Sequence, residues 1–406
     1  MRRAEEAFTS LPDRYQGADE GFDFTFQIRL GDVGRTWEVQ ADSDHCRVLS
    51  PPSREPDVVI GTDSGTWLKL REGKLSGLDA FSQRRLWARG NIDLALCFEG
   101  LFELPGGRAP LVRLHHVEAA EQRISTLTVG SGDEHAILIH GLGSNKTSFF
   151  ETVSALSSDY TVHAIDLPGF GSSSKPARAP YDAGWFAGNV LSFMDALGID
   201  CAHLVGNSMG GRVALEAGIE APERVRSLAL LAPAVAFRRK RGMVPLVKLL
   251  RPELAAIPHP LRQALVRDHF WSLFANPERL DPEVADIACD EFIRSYRSRS
   301  ARVAFFAAAR NIYLDAPFGD SGFWTRLGKL APPALFVWGE QDSLVPAKFS
   351  RHVAEALPDA RQVTFEDCGH VPQVELPEQT NRLLRELMAD ASREEHGRLR
   401  RMARIA

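Results

Sequence analysis

A chain of 406 residues exceeds the size at which one hydrophobic core stops growing, so two domains are expected. Its 44% apolar and 25% charged content is that of a globular protein and excludes a largely disordered or fibrous chain. A formal charge of -5 supplies no global attraction for nucleic acid or another polyanion.

The N-terminus, MRRAEEAFTSLPDRY, has no apolar core behind its arginines, and no stretch approaches the roughly 18 consecutive apolar residues of a membrane-spanning helix. A soluble cytoplasmic protein is expected, and peripheral contact with a membrane or lipid surface is compatible with it. The segment Phe22 to Leu30 alternates as a strand, Thr36 to Gln40 reads as a second, and Pro56 to Thr62 is a short β-branched run. Asp63 or Ser64 is placed to cap a helix through TWLKLREG, with Gly73 to stop it. LDAFSQRRLWARG and NIDLALCFEGLF read as two further short helical or extended pieces, giving a small α+β unit.

This unit resembles the sterol carrier protein type 2 family. The carrying residues are PDVVIGTDSGTWLKLREGKLSGLDAFSQRRLWARGNIDLALCFEGLF, with Glu72-Gly73, Ala80 and Arg89-Gly90-Asn91 in the family's order. The resemblance implies an apolar tunnel for a lipid across roughly residues 10 to 105, against the alternative of a filled core that serves as scaffold or dimerisation module. It singles out no ligand contact. Two glycines and two prolines in residues 105–119 suggest a linker, assigned to 108–122 behind a first domain of 1–107. His115 and His116 read as linker residues.

From Arg123 the texture becomes alternating βα units: strands at ISTLTV, AILIHG, YTVHAIDLPG, CAHLVGNS, SLALLAPA, ALFVWGEQD and QVTFEDCG, the intervening segments helical. A mostly parallel sheet covered by helices follows. About a hundred residues between SLALLAPA and ALFVWGE are far more than one connecting helix needs, so residues 235–330 are expected to form a helical cap over an apolar pocket. Helical periodicity runs from Val284 to Ile312. Arg238-Arg239-Lys240-Arg241, beside Met243, Val244, Leu246 and Leu249, is either a solvated helix end or a docking patch for an anionic lipid surface. The second domain closes near residue 392, and 393–406 is a basic tail carrying Arg398, Arg400, Arg401 and Arg404.

Gly206-Asn207-Ser208-Met209-Gly210 lies between a strand and a helix, where small flanking residues let the two approach around a sharply turned serine. Asp342 ends one later strand and His370 follows the next. Serine needs a neighbouring base, and the base needs a carboxylate to fix its tautomer. Ser208, His370 and Asp342 are assigned those roles, with Glu340 and Asp367 as competing carboxylates. The order serine, aspartate, histidine, and the loop His140-Gly141-Leu142-Gly143, resemble the α/β-hydrolases. That resemblance implies an α/β-hydrolase fold and an oxyanion hole formed by the backbone N–H groups of Leu142 and Met209. His140 and the turn Asp166-Leu167-Pro168-Gly169-Phe170-Gly171-Ser172-Ser173 are read as structural.

No metal-ligand spacing and no phosphate loop is present, so neither metal nor cofactor is expected. The scattered Cys46, Cys97, Cys201, Cys289 and Cys368 read as buried thiols. The expected activity is hydrolysis of carboxylic esters of lipid-like or hydrophobic substrates through an acyl-enzyme. A carbon-carbon hydrolase of ring-cleavage dienoates is the alternative, though Ser144-Asn145 departs from that family's His-Gly-x-Gly-Pro-Gly loop. A non-catalytic lipid-binding protein is the third. No nucleic-acid partner is expected, and the sequence does not define an oligomeric state.

Overall fold

A computed structural model describes residues 2–18, 22–105, 112–236, 244–249, 251–257, 261–280 and 282–403. Contacts divide the chain into two compact units, one of Met1–His115 with Leu127–Gly130 and the other of His116–Thr126 with Ser131–Ala406.

In the first unit, β1 (Asp23–Leu30), β2 (Arg35–Asp42), β3 (Cys46–Leu49), β4 (Val58–Thr62) and β5 (Leu86–Gly90) form a sheet in the order β3-β2-β1-β4-β5. β1 pairs antiparallel with β2 and parallel with β4, so the chain crosses over rather than meandering. The helix Ser64–Arg71 starts where expected, because Asp63 Oδ1 accepts from Thr66 N at 2.8 Å. The two ambiguous pieces resolve into helices Gly77–Ser82 and Ile92–Gly100, separated by β5 and capped by Ser76 and Asn91. The core is aromatic, with Phe8 stacked between Trp37 and Trp67 at centroid distances of 4.2 and 4.4 Å.

The second sheet contains β6 (Val112–Ala119), β7 (Gln122–Val129), β8 (His135–Ile139), β9 (Thr161–Ile165), β10 (Ala202–Asn207), β11 (Val225–Leu231), β12 (Ala334–Gly339) and β13 (Arg361–Phe365). The strand order is β13-β12-β11-β10-β8-β9-β7-β6. All five pairings from β9 across to β13 are parallel. Ile137, Leu204, Leu228 and Phe336 are wholly buried, as strands covered on both faces require.

Several expectations change. Residues 112–119 are the strand β6 rather than linker, because VRLHHVEA supplies enough β-forming residues to pair despite the Gly/Pro run before it. His115 therefore lies in a strand, its Nε2 3.0 Å from Thr128 Oγ1. The helical stretch from Val284 is two helices, Pro282–Tyr296 and Arg299–Leu314, broken where the Ser298 side chain accepts from Ala301 N. Only Cys289 and Cys368 are buried thiols, while Cys46, Cys97 and Cys201 are half-buried, and all five are free. The run Arg238–Arg241, Met243 and Arg404 lie outside the described residues. Among the described residues no helix is long and apolar enough to cross a membrane.

Candidate active site

β10 ends at Asn207 and the helix Met209–Glu220 starts at the next residue but one, so Ser208 alone makes the turn. Its backbone sits at φ 53°, ψ −115°, which costs a non-glycine residue on the order of 1–3 kcal/mol. Neighbouring backbone holds it there. Ser208 N donates to Leu231 O at 2.9 Å, and Ser208 O accepts from Ala234 N at 2.9 Å and Arg212 N at 3.1 Å. A Cβ on Gly206 would lie 2.3 Å from Gly210 O, and one on Gly210 would lie 2.0 Å from Ile139 O. The glycines flanking Ser208 are thus a steric condition for bringing helix against strand. The helix's first N–H groups, Met209 among them, have no intrahelical acceptor and form the partly positive end of the helix dipole.

Asp342 and His370 come from loops after β12 and β13. His370 Nδ1 is 2.7 Å from Asp342 Oδ2, and both residues are buried. Asp342 Oδ1 is held separately, accepting from Leu344 N and Val345 N at 2.8 Å each. The competing carboxylates do something else: Glu340 is exposed, and Asp367 is exposed and paired with Arg279. Asn207 joins the histidine loop to the serine turn, its Nδ2 donating to Leu231 O at 3.0 Å and to His370 O at 3.1 Å.

The loop carrying Leu142 packs on the same turn, since a Cβ on Gly141 would sit 3.3 Å from Ser208 Cβ. His140 fixes that loop. Its Nδ1 lies 2.8 Å from Gly141 O and its Nε2 accepts from Leu167 N at 3.0 Å, the bonding pattern of a neutral ring protonated on Nδ1. Complete burial also pushes its pKa down, so it is a brace rather than a proton carrier. The turn beyond it is anchored by Asp166, whose oxygens accept from Lys146 N and Nζ at 2.7 Å and from Ser172 N at 2.8 Å. Burial alone would raise the Asp166 carboxyl, but the Lys146 ammonium and these bonds hold it below its ordinary value.

Between β11 and β12 the chain forms helices that include Val244–Leu249, Gln263–Trp271, Pro282–Tyr296, Arg299–Leu314 and Phe323–Leu327. Its described residues reach the site. Leu273 O accepts from His370 N at 2.7 Å, and a Cβ on Gly143 would come 3.0 Å from the rings of Phe292 and Phe305. Glu375 ties the segment to the histidine loop, Oε2 accepting from Gly369 N and Oε1 from Asn276 N, both at 2.7 Å. A cavity of about 230 Å³ is lined by Met209, Tyr181, Val213, Ala308, Ile312 and Asp315, with neither Ser208 nor His370 on its wall. Arg212, on its wall, donates to Asp315 Oδ2 at 3.0 Å, pairs with Glu216 and lies over the Phe323 ring at 4.5 Å. Sequence reading missed Asn207, Lys146, Arg212 and Glu375 as site supports. Only Arg212 carried a signal, standing immediately after the glycine pair.

The supports and the proposed site residues cluster beyond the carboxyl ends of β8, β10, β12 and β13, the usual crevice of an open parallel sheet. Such a sheet with a serine elbow and a buried His–Asp pair defines a hydrolase architecture. The chain belongs to the alpha/beta hydrolase fold family, whose family model matches residues 135–377, and it carries an N-terminal domain of the SCP-2 sterol transfer family, matched over residues 8–103. It is 31% identical over 65% of its length to a dihydrolipoyllysine-residue acetyltransferase component of an acetoin cleaving system from Cupriavidus necator, of which it covers 66%, just under two thirds. It is 28% identical over 64% of its length to a 2-hydroxy-6-oxononadienedioate/2-hydroxy-6-oxononatrienedioate hydrolase of a Pseudomonas species, covering 89% of that enzyme. The crystal structure of a bacterial membrane phospholipase A, a virulence factor, superposes with a TM-score of 0.58 at 29% identity, covering 70% of this chain and 87% of that one.

Proposed function

We propose that the chain is a serine hydrolase that cleaves carboxylic esters of hydrophobic, lipid-like substrates through an acyl-enzyme. The observation that carries this is the 2.7 Å bond between His370 Nδ1 and Asp342 Oδ2. It keeps the Nδ1 proton on the carboxylate side and leaves Nε2 as the base. Ser208 Oγ attacks the ester carbonyl and its proton passes to His370 Nε2. Negative charge on the carbonyl oxygen is met by the N–H groups of Leu142 and Met209. His370 returns the proton to the departing alcohol, and water, deprotonated by the same nitrogen, releases the acid and restores Ser208.

Lipid-like substrates are favoured by the likeness to a phospholipase A and by the attached sterol-transfer domain. In this reading residues 1–107 handle lipid, 123–392 carry out hydrolysis under a cap of about 235–330, and contact with a lipid surface is peripheral. The likeness to a dienedioate hydrolase favours a second reading, carbon-carbon bond hydrolysis with the same serine and histidine.

The test is hydrolysis of p-nitrophenyl esters of increasing acyl length by the full chain and by Ser208→Ala. The ester reading expects cleavage that rises with acyl length and falls by at least about 10³-fold in the variant. Inactivity on every ester with turnover of a ring-cleavage dienoate would establish the second reading instead.

A further inference from the structure

Eight large hydrophobic side chains are exposed among the described residues, and four of them fall in one stretch between β11 and β12. Leu249 is 77% exposed, Leu254 62%, Ile257 64% and Leu265 60%. A lone exposed leucine is ordinary, but aliphatic side chains gathered on one element mark a surface that meets something apolar.

The backbone shows why the first three stay outside. The helix Val244–Leu249 and the 3₁₀ turn Pro252–Ala256 lie along the helix Arg299–Leu314 and are gripped by their main chain. Arg302 Nε and Nη2 donate to Ala255 O at 2.9 Å and Ala256 O at 3.0 Å. Its Nη1 anchors the clamp below, donating to Tyr296 O at 3.0 Å and Arg297 O at 2.8 Å. Arg310 repeats the grip, Nε donating to Val247 O at 3.1 Å and Nη2 to Lys248 O at 3.0 Å. Each guanidinium therefore holds two consecutive carbonyls, and eight helical residues set the two clamps about 12 Å apart. With those carbonyls turned to the helix, Leu249, Leu254 and Ile257 share the outer side of one strap.

Charge narrows the occupant. Lys248 and Arg251 are exposed on the strap, Arg262 is exposed just beyond it, and Glu253 is the only acid from 244 to 265, in a chain whose formal charge is -5. Protein interfaces favour aromatic anchors and are depleted in lysine, whereas these exposed tips are all aliphatic. A second copy docked by the same patch would set cation against cation. Aliphatic tips among cations match an apolar interior lying beneath anionic head groups.

We propose that the cap face bearing Leu249, Leu254 and Ile257 docks on an anionic phospholipid bilayer, these side chains entering the acyl boundary while Lys248 and Arg251 meet the head groups. This deepens the lipid-surface part of the functional reading and rests on it, but does not require Ser208 to be catalytic.

The test is co-sedimentation of the full chain carrying Ser208→Ala with vesicles of phosphatidylcholine, alone or mixed with phosphatidylglycerol. Binding is expected to the mixed vesicles well above the neutral ones, and to weaken with salt. Replacing Leu249, Leu254 and Ile257 together by serine should weaken it by at least about 30-fold, with melting temperature unchanged because all three are exposed. Lys248→Gln with Arg251→Gln should weaken binding to the mixed vesicles roughly 10- to 30-fold and hardly alter the neutral ones. Absence of binding to either vesicle, or unchanged binding in the triple variant, overturns the proposal. So does a dimer of the parent that becomes monomeric in the triple variant while vesicle binding stays the same, which would make the face a contact between copies. Hydrolysis of a short, water-soluble p-nitrophenyl ester by the chain with Ser208 intact separates the two readings. Vesicle binding without ester hydrolysis removes the esterase reading and keeps the docking face, and hydrolysis without vesicle binding does the reverse.

Discussion

Asp342→Asn removes one charge from the proposed relay without changing its shape, and the structure dictates how the amide must sit. Asp342 Oδ1 accepts two backbone donors, Leu344 N and Val345 N at 2.8 Å, while Oδ2 meets His370 Nδ1 at 2.7 Å. An asparagine keeps the two backbone bonds only by placing its oxygen at the Oδ1 position. Flipping it would leave two N–H groups facing an NH₂ group, at about 1–3 kcal/mol each. The amide nitrogen is therefore presented to His370 Nδ1, which must accept rather than donate. The ring's proton moves to Nε2, where it blocks uptake of the Ser208 proton. A wrong tautomer costs a catalytic triad on the order of 10⁴ in kcat. KM and melting temperature should stay close to those of the parent, because packing and both backbone bonds survive. Steady-state hydrolysis of the best p-nitrophenyl ester measures this. Retention of more than a tenth of parental kcat would show that Asp342 does not set the tautomer, and the mechanism would fall with it.

Gly210→Ala forces a Cβ to within 2.0 Å of Ile139 O and 2.7 Å of His140 O, both backbone. Since neither can rotate away, thermal unfolding should show a loss of about 1–3 kcal/mol, and kcat should fall by roughly 10²-fold as the elbow shifts. Glu375→Gln leaves one of the buried N–H groups of Gly369 or Asn276 facing an NH₂ group. Denaturant melts should show about 1–3 kcal/mol of destabilisation, and kcat should fall several-fold with KM nearly unchanged, because Glu375 positions His370 rather than touching substrate. At the opposite end of the sheet, Glu134 is held near a pKa of about 2 by hydrogen bonds from His203 and Ser392 and by Arg226, against an ordinary value of 4.5. Its folded pKa is depressed, so the unfolded chain binds more protons between those values, and the stability Glu134 contributes is full above pH 4.5 and lost as pH falls towards 2. In chemical denaturation across that range, Glu134→Gln should show a shallower acid loss than the parent, and identical slopes would refute the assignment.

Alternation of apolar strands with helical segments is a local property, so the α/β character of the second unit and the long insertion before β12 were legible in sequence. The Gly-x-Ser-x-Gly spacing was equally legible because it answers a steric demand between consecutive elements, a strand and the helix that follows it. Reading stopped where one residue answers to another far along the chain. Glu340, Asp342 and Asp367 are equivalent as letters; the turn after β12 and the backbone donors of residues 344 and 345 bring Asp342 to His370, while Arg279 holds Asp367 aside. Asn207, Lys146 and Glu375 carry no local pattern, since their partners lie 24 and 163, 20, and 99 residues away for those bonds. The strand at 112–119 was misread for the same reason, its pairing depending on the rest of the sheet more than on the Gly/Pro run beside it. The amino-acid sequence determined the elements and the chemistry they carry, because periodicity and turn sterics act over a few residues. Burial and long-range hydrogen bonding act through space, and only the tertiary structure decided which charges would be paired.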